Sequence, residues 1–155
     1  MTDPTVTPPR TTAHLTHLMG LVTGETPPPP IAVLVGFTAA HVALGTATME
    51  LEVTARHANP MGTLHGGITC DIADAAMGIA FATTLEDDES FTTIDLTTKF
   101  FKPIWNARLR ATANVTKRTR TLGLIECDVT DETGSLVAKV FSTCMVLRGT
   151  AAHGR

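Results

Sequence analysis

The chain has 155 residues, of which 43% are hydrophobic and 17% are charged, and its formal net charge is −3. This length suits one domain with its own core, and the composition is that of a compact globular protein that can also bury surface against copies of itself. The negative charge argues against a dedicated nucleic-acid binder, because neutralising phosphates takes clustered Lys and Arg.

The compartment is predicted from cysteine usage and from the lack of apolar segments. The three cysteines are odd in number and widely spaced, at Cys70, Cys127 and Cys144. This pattern indicates free thiols in a reducing cytoplasm rather than disulfides or a zinc site. No apolar run approaches the roughly 20 residues that span a bilayer, and the N-terminus lacks the features of a signal peptide. We therefore expect a soluble cytoplasmic protein that does not bind a membrane.

Residues 1–30 are predicted to form an arm ahead of the main domain. Residues 1–10 are rich in Thr and Pro and should be mobile. A short amphipathic helix follows, with Thr12 as its N-cap and Gly24 as its end. Its apolar stripe comprises Leu15, Leu18, Met19 and Val22. Pro27 to Pro30 cannot continue this helix and predict an extended polyproline spacer.

The main domain is expected over residues 31–148, ahead of a flexible tail at 149–155. The apolar run Ile31 to Val35 has no defined type, and a hairpin follows, formed by Phe37 to Ala43 and Thr46 to Val53. From about His65 to Thr84 the sequence predicts a helix whose small apolar residues cover much of its circumference, so that it is largely enclosed. The acidic turn Glu86 to Glu89 is predicted to be a solvated loop.

The rest of the domain is predicted to be antiparallel sheet. Four strand-like runs are separated by turn residues: Phe91 to Lys102, Ala107 to Arg118, Thr121 to Thr130 and Leu136 to Leu147. We expect these four strands to form a meander. The prediction is therefore an α+β fold, with an antiparallel sheet of five to six strands wrapped around one long central helix and an extra N-terminal helix.

Chemistry is indicated where the loop before this helix meets its first turns. The loop passes through His65, Gly66 and Gly67 into the helix. A helix start offers unpaired backbone N–H groups and the positive end of the helix dipole, which together can hold an oxyanion. Two turns further on, Asp74 places a carboxylate among small apolar residues, where a charge is unexpected.

In these segments the chain resembles a hotdog-fold acyl-CoA thioesterase of the PaaI-like, phenylacetate-pathway branch. The resemblance rests on Asn59 to Gly67 (NPMGTLHGG), on Asp74 followed by two alanines, and on Thr92 to Leu96 (TTIDL). In element order it extends from about Phe37 to Leu147. It implies an acyl-CoA substrate, and active sites shared between subunits of dimers that often pair into tetramers. Dehydratases of the fold resemble the chain less, because their active-site His is generally not followed by Gly-Gly.

Thioester hydrolysis requires a polarised carbonyl and a nucleophile or general base, and the resemblance assigns these roles to particular residues. The backbone N–H of Gly66 would polarise the carbonyl. Asn59 would orient water or the thioester, and Asp74 would either attack the carbonyl or activate water. Apolar surroundings and the nearby Asp71 predict a raised pKa for Asp74, which makes it a better base. Neither a metal nor an organic cofactor is expected.

Three further residues have weaker assignments. His65 either hydrogen-bonds the carbonyl region or anchors the loop. Thr93 matches a strand hydroxyl that positions the attacking water in some relatives, although a slip of one residue would replace it by Thr92. Asp95 is expected on the same face as Thr93, as a structural pair or a hydrogen-bond acceptor.

Coenzyme A also brings phosphates, which require basic groups near the site. The predicted substrate-binding set combines Gly67 with a basic cluster: Lys117, Arg118 and Arg120. A solvated turn is the alternative interpretation of that cluster.

Helix geometry gives an expectation about assembly. Gly66 and Asp74 are eight residues apart, so on one helix they are separated by about 12 Å. One carbonyl cannot contact both groups at about 3 Å. The site is therefore expected to combine Gly66 of one subunit with Asp74 of another across a two-fold axis, with a dimer as the minimal active unit and a tetramer as the larger assembly that the resemblance implies.

Three functions are compatible with this fold. The leading hypothesis is a thioesterase for an aryl- or medium-chain acyl-CoA. The second is a non-catalytic protein that binds or senses acyl-CoA, which would have no need of a carboxylate aimed at the carbonyl. A dehydratase or hydratase would require a His and acid pair at other positions, and the sequence does not offer one.

Overall fold

The computed structural model describes residues 12–153; residues 1–11, which include the segment 1–10 that was predicted to be mobile, and residues 154–155 lie outside the described part. The described elements are α1 (Ala13–Thr23), α2 (Pro30–Val35), β1 (Phe37–Ala43), β2 (Thr46–Glu52), α3 (Gly66–Ala82), β3 (Ser90–Phe100), β4 (Arg108–Arg118), β5 (Leu122–Thr130) and β6 (Leu136–Leu147). Short 3₁₀ helices occupy Ala55–His57 and Gly149–Ala152. The second of these lies in the tail that was predicted to be flexible.

The six strands form one antiparallel sheet in the order β1-β2-β4-β5-β6-β3. The predicted α+β class, strand number and central helix are confirmed, but the four-strand meander is wrong, because β3 crosses to the far edge and pairs with β6. Its predicted neighbour β4 pairs with β2 instead. That register brings opposite charges together: Arg110 lies 3.2 Å from Glu50, and Arg108 lies 3.2 Å from Glu52.

The sheet curls around α3, and small side chains allow this close approach. Ala73, Ala76 and Ala80 of α3 are fully buried. At Gly123 of β5, a Cβ atom would lie 2.0 Å from the ring of Phe81. Only glycine leaves room for that ring. The enclosed helix predicted from the apolar circumference is therefore confirmed.

The predicted capping of α1 is also confirmed. Thr12 Oγ1 accepts a hydrogen bond from Leu15 N at 3.2 Å, and Gly24 ends the helix in the left-handed conformation at φ 83°. The predicted apolar stripe is only partly right, because Met19 and Val22 are 47% and 40% exposed. The reason is that α1 packs against β1, and the face it buries depends on that contact rather than on its own apolar grouping.

The tetraproline segment forms a connector and also begins the next helix. Pro27 to Pro29 belong to neither helix nor strand, which agrees with a connector, whereas Pro30 is the first residue of α2. Proline fits that position because its fixed φ suits a first turn and the missing N–H would have no helical partner. The apolar run of undefined type is therefore a short helix, which Gly36 ends at φ 96°.

The acidic turn between α3 and β3 is not simply solvated, contrary to the prediction. Glu89 is 6% exposed, and its carboxylate accepts hydrogen bonds from Arg118 at 2.8 Å and from Arg148. Asp87 accepts a hydrogen bond from the N–H of Ala13 at the start of α1, at 3.0 Å. The turn joins α1, β4 and the end of β6. A run of acidic residues does not reveal such partners, because they are distant in sequence.

Candidate active site

The loop before α3 is held together by the side chain of Asn59. Its Oδ1 accepts from the N–H groups of Met61 at 2.9 Å and Thr63 at 3.2 Å, and its Nδ2 donates to Thr63 Oγ1 at 2.8 Å. Gly62 completes the turn at φ 81°, in the left-handed region that favours glycine. An amide nitrogen carries two hydrogens, so one N–H of Asn59 remains after Thr63 is satisfied.

His57 anchors the same loop to the end of α2. It is buried, with 6% exposure; its Nδ1 accepts from Thr54 N at 3.1 Å, and its Nε2 donates to the carbonyl of Val35 at 2.8 Å. The carbonyl of His57 in turn accepts from His65 N at 2.9 Å. Sequence reasoning assigned no role to His57. The sequence feature that could have identified His57 is a capping pattern with Thr54, three residues before it.

At the start of α3 one backbone donor is left free. His65 is the N-cap, and its Nδ1 accepts from Gly67 N at 2.9 Å, which is the anchoring alternative for this histidine. The N–H of Gly67 is therefore occupied. In the described part of the chain the N–H of Gly66 has no acceptor. Of the two glycines, Gly66 thus presents the available donor at the positive end of the helix.

An aromatic ring that sequence reasoning missed lies over this helix start. The Cζ atom of Phe100 is 3.0 Å from the position that a Cβ atom would take at Gly66. Nothing in the strand periodicity distinguishes Phe100 from its exposed neighbours, so the sequence carried no signal for this contact. The ring shields one side of the Gly66 backbone.

Asp74 and Thr93 lie together on a cavity of about 550 Å³. The Asp74 side chain reaches solvent in the single chain, but partial burial raises its pKa above 3.8, and the negative charge of Asp71 raises it further. The predicted direction of the pKa shift is thereby confirmed. Thr93, and not Thr92, lines this cavity, and its Oγ1 lies 3.9 Å from the sulfur of the buried Cys144.

A bulge in β3 separates Thr93 from Asp95. Thr93 pairs with Cys144 and Asp95 pairs with Thr143, so that Ile94 is an extra residue between them. The two side chains no longer share a face, and that prediction is wrong because strict alternation does not hold across a bulge. Asp95 Oδ1 accepts from Thr143 N at 3.1 Å, which confirms its role as a hydrogen-bond acceptor.

The predicted basic cluster divides into one engaged and two solvated side chains. Arg118 pairs with Glu89, and its guanidinium lies 5.5 Å from the ring centroid of Phe81. Lys117 and Arg120 are exposed, and the carbonyl of Arg120 accepts from Arg148 at 2.6 Å. Arg118 therefore stabilises the fold, and two cations of the cluster remain accessible to a phosphate group.

The single chain does not bring the donor and the carboxylate together. Gly66 is the first residue of α3, and Asp74 follows eight residues later on the same helix, a separation of about 12 Å. Each of these two residues supplies part of what a hydrolytic site needs. The helix start offers an N–H for a developing oxyanion, and Asp74 offers a base or nucleophile beside a cavity.

A six-stranded antiparallel sheet wrapped around one long helix defines the hotdog fold. A sequence profile of the Thioesterase superfamily matches residues 61–138, which is half of the chain. The match includes Gly66, Asp74 and Thr93. The chain belongs to this superfamily and is a thioester hydrolase.

Individual relatives agree with this assignment. The 1,4-dihydroxy-2-naphthoyl-CoA hydrolase of Listeria monocytogenes is 29% identical over 112 residues, covering 72% of this chain and 89% of the relative. Human acyl-coenzyme A thioesterase 13 is 31% identical over 109 residues, covering 69% and 77%. A mutant form of the phenylacetic acid degradation protein PaaI from Thermus thermophilus superposes with a TM-score of 0.71 at 29% identity, covering 76% and 98%. The predicted PaaI-like resemblance is confirmed.

Within residues 12–153, no helix combines the length and apolar character that crossing a membrane requires.

Proposed function

We propose that this chain hydrolyses acyl-CoA thioesters to the free acid and coenzyme A, at sites that each combine Gly66 of one subunit with Asp74 of another. The observation that carries the proposal is the placement of a free N–H donor and a carboxylate of raised pKa on one helix, too far apart to serve one carbonyl. The relatives named for acyl-CoA and naphthoyl-CoA hydrolysis support the substrate class.

The proposed reaction begins when the thioester carbonyl accepts a hydrogen bond from the Gly66 N–H. Asp74 either takes a proton from an attacking water or adds to the carbonyl itself, and the developing oxyanion is stabilised at the helix start. The C–S bond then breaks, and the thiolate of coenzyme A leaves and is protonated. If Asp74 adds directly, water hydrolyses the resulting anhydride. Both routes give the same products.

Three neighbours would support this chemistry. The spare N–H of Asn59 would orient the thioester, and the hydroxyl of Thr93, on the same cavity as Asp74, would position the attacking water. His65 keeps the first turn of α3 in place through its bond to Gly67 N. We assign Lys117 and Arg120 to the binding of the coenzyme A phosphates. Arg118 would hold the backbone near the nucleotide end of the substrate, and Gly67 would hold it near the thioester end.

A dimer is proposed on the basis of the edge strand β3. The edge strand β1 is packed against α1, whereas the opposite edge strand, β3, is 11 residues long and largely exposed. An open strand edge is a template for pairing with another chain, and a second copy on β3 would approach close to Thr93. Pairing of two such dimers would give a tetramer. A cytoplasmic location is proposed with this assembly because all three cysteines are free.

The test is thiol release from a panel of aliphatic and aromatic acyl-CoAs by the wild-type protein. We expect turnover of at least one class of thioester, and loss of turnover in Asp74→Asn. If the wild type binds acyl-CoA in calorimetry but releases no thiol from any of the panel, the protein is a binder and the proposed hydrolysis is wrong. Retention of full activity by Asp74→Asn would refute the role of that carboxylate.

A further inference from the structure

The cavity beside Asp74 lies in the gap between the two edges of the curled sheet. Residues of both edge strands line it, among them Phe37 of β1 and Phe91 of β3. The sheet therefore encloses α3 on most sides but leaves one side of the helix uncovered by strands. The cavity occupies that side.

One face of α3 forms the floor of the cavity. Asp74, Gly78 and Ala82 recur every four residues along the lining, with Ala75 and Ile79 beside them. Residues at this spacing lie above one another on a helix. The floor is apolar except at the Asp74 end, and it runs for about 12 Å away from that carboxylate.

The opposite wall comes from the N-terminal segment, which lies outside the region that the thioesterase profile matches. Leu18 and Leu21 of α1 line the cavity together with Pro28 and Pro29 of the connector and Ile31 of α2. Met19 and Val22, on the other side of α1, are exposed. Helix α1 thus directs its leucines into the cavity and not only into the core.

This wall is held rigidly. Thr26 N donates to the carbonyl of Gly20 at 3.0 Å, and Thr26 Oγ1 donates to the carbonyl of His17 at 2.8 Å. A Cβ atom at position 20 would lie 2.4 Å from Thr26 Oγ1, so glycine is what allows the connector to fold back onto α1. Prolines then carry the chain across the cavity with few conformational alternatives.

We propose that α1 and the proline connector, residues 18–31, build the acyl compartment of this enzyme, set its size, and select acyl groups without polar substituents. This inference rests on the proposed function, because it places the acyl group of the thioester beside Asp74. A volume of about 550 Å³ lies within the range of roughly 300 to 1,000 Å³ usual for small-molecule sites.

The selection against polar groups follows from the side chains that line the compartment. Its polar side chains are Thr26, Thr38, Asp74 and Thr93. Thr26 is engaged with His17, Thr38 is exposed, and Asp74 and Thr93 are placed at the reacting end. A hydroxyl at the far end of an acyl chain would lose its water and meet a lining that is mostly apolar. We expect 8-hydroxyoctanoyl-CoA to have a kcat/KM about 10 to 100 times lower than octanoyl-CoA.

The size selection is tested at Leu21, with its exposed neighbour Val22 as the matched control. The measurement is kcat/KM for straight-chain acyl-CoAs from butanoyl to dodecanoyl. Leu21→Ala enlarges the compartment and should raise the dodecanoyl to octanoyl ratio about fivefold, and Leu21→Trp should lower it by a similar factor. Val22→Ala and Val22→Trp should leave the wild-type profile unchanged.

A second measurement separates this inference from the proposed hydrolysis. S-alkyl-CoA thioethers of the same chain lengths cannot be hydrolysed, and calorimetry gives their Kd for each variant. If no thioester is hydrolysed but Kd depends on chain length and Leu21→Ala shifts that dependence, the compartment stands and hydrolysis fails. If thioesters are hydrolysed but both Leu21 variants keep the wild-type profile, the compartment is refuted and hydrolysis stands.

Discussion

At the scale of single residues, the proposed chemistry depends most on Asp74. Replacing it by Asn removes the base or nucleophile and keeps the shape of the side chain. We expect kcat/KM for acyl-CoA to fall by about 10²- to 10⁴-fold, measured as thiol release. Asp71→Asn is the matched control, because Asp71 contributes only its charge to the Asp74 pKa and should remain active. Equal loss in both variants would point to a general effect on the helix.

The raised pKa of Asp74 also affects stability. Between 3.8 and the raised pKa, the folded chain holds a proton that the unfolded chain has released, so folding stability falls as the pH rises through this window. Asp74→Asn removes that loss. We expect the variant to have a higher Tm than the wild type at pH 7 and the difference to vanish below about pH 3.8, as measured by calorimetry across pH. A lower Tm at pH 7 would contradict the assigned shift.

The role of the Gly66 N–H can be tested with proline. Gly66 is the first residue of α3, a position where proline fits a helix but supplies no N–H. Gly66→Pro should lower kcat by about 10²- to 10³-fold, the usual loss for one oxyanion donor. Gly66→Ala keeps the N–H and also adds a Cβ atom against Phe100, so it should stay within about tenfold of wild type. Circular dichroism must show both variants folded; equal losses would indicate crowding rather than a missing donor.

Residue identity alone indicated Asp74 and Gly66 as candidates, but it did not predict the contacts that neighbouring residues make around them. Asp74 and Gly66 were predictable because a carboxylate in an apolar stretch and a glycine at a helix start are unusual by themselves. The internal bonds of Asn59 and His65 depend on how the loop folds back on itself, which no spacing rule gives. Phe100 reaches Gly66 from a different strand, so only the tertiary structure could place it.

At the scale of elements, local sequence determined the strand limits closely but not the strand partners. Period-two alternation marks where a strand begins and ends, and β6 has the predicted bounds, Leu136–Leu147. Alternation contains no information about pairing, which is why the meander was wrong. The bulge at Ile94 also cannot be recognised from the alternation of the sequence. It places the side chain of Asp95 on the opposite face of the strand from the predicted one.

The acidic turn supplies a test at this scale. Glu89 is buried between Arg118 and Arg148, which are themselves partly hydrated. Glu89→Gln leaves both guanidinium groups without their carboxylate and should lower the free energy of unfolding by about 3 kcal/mol, at the lower end for a broken buried pair. Urea denaturation measures this change. Asp88→Asn, in the same turn but exposed, should change it by less than about 0.5 kcal/mol.

At the scale of the whole molecule, the sequence leads to a prediction about assembly but carries no signal for the proposed acyl compartment. Helix spacing alone separates Gly66 from Asp74 by about 12 Å, and this separation is the basis for proposing that each site uses two chains. The compartment instead arises where α1, the connector and two distant sheet edges meet. No single segment of the sequence predicts this compartment. The apolar stripe predicted for α1 alone is not the set of α1 residues that lines the cavity.

Shared sites can be tested by mixing two inactive chains. When Asp74→Asn and Gly66→Pro subunits are co-expressed with different tags, each mixed dimer has one site with both lesions and one site with none. Random pairing makes half of the dimers mixed, so the preparation should recover about a quarter of wild-type activity, and mixed dimers purified through both tags should recover about half. A mixture of Asp74→Asn with Asp74→Ala should recover none, because no pairing restores a carboxylate. If Gly66 and Asp74 acted within one chain, the first mixture would stay inactive as well. Activity in that mixture alone would therefore assign Gly66 and Asp74 of the same helix to two different sites.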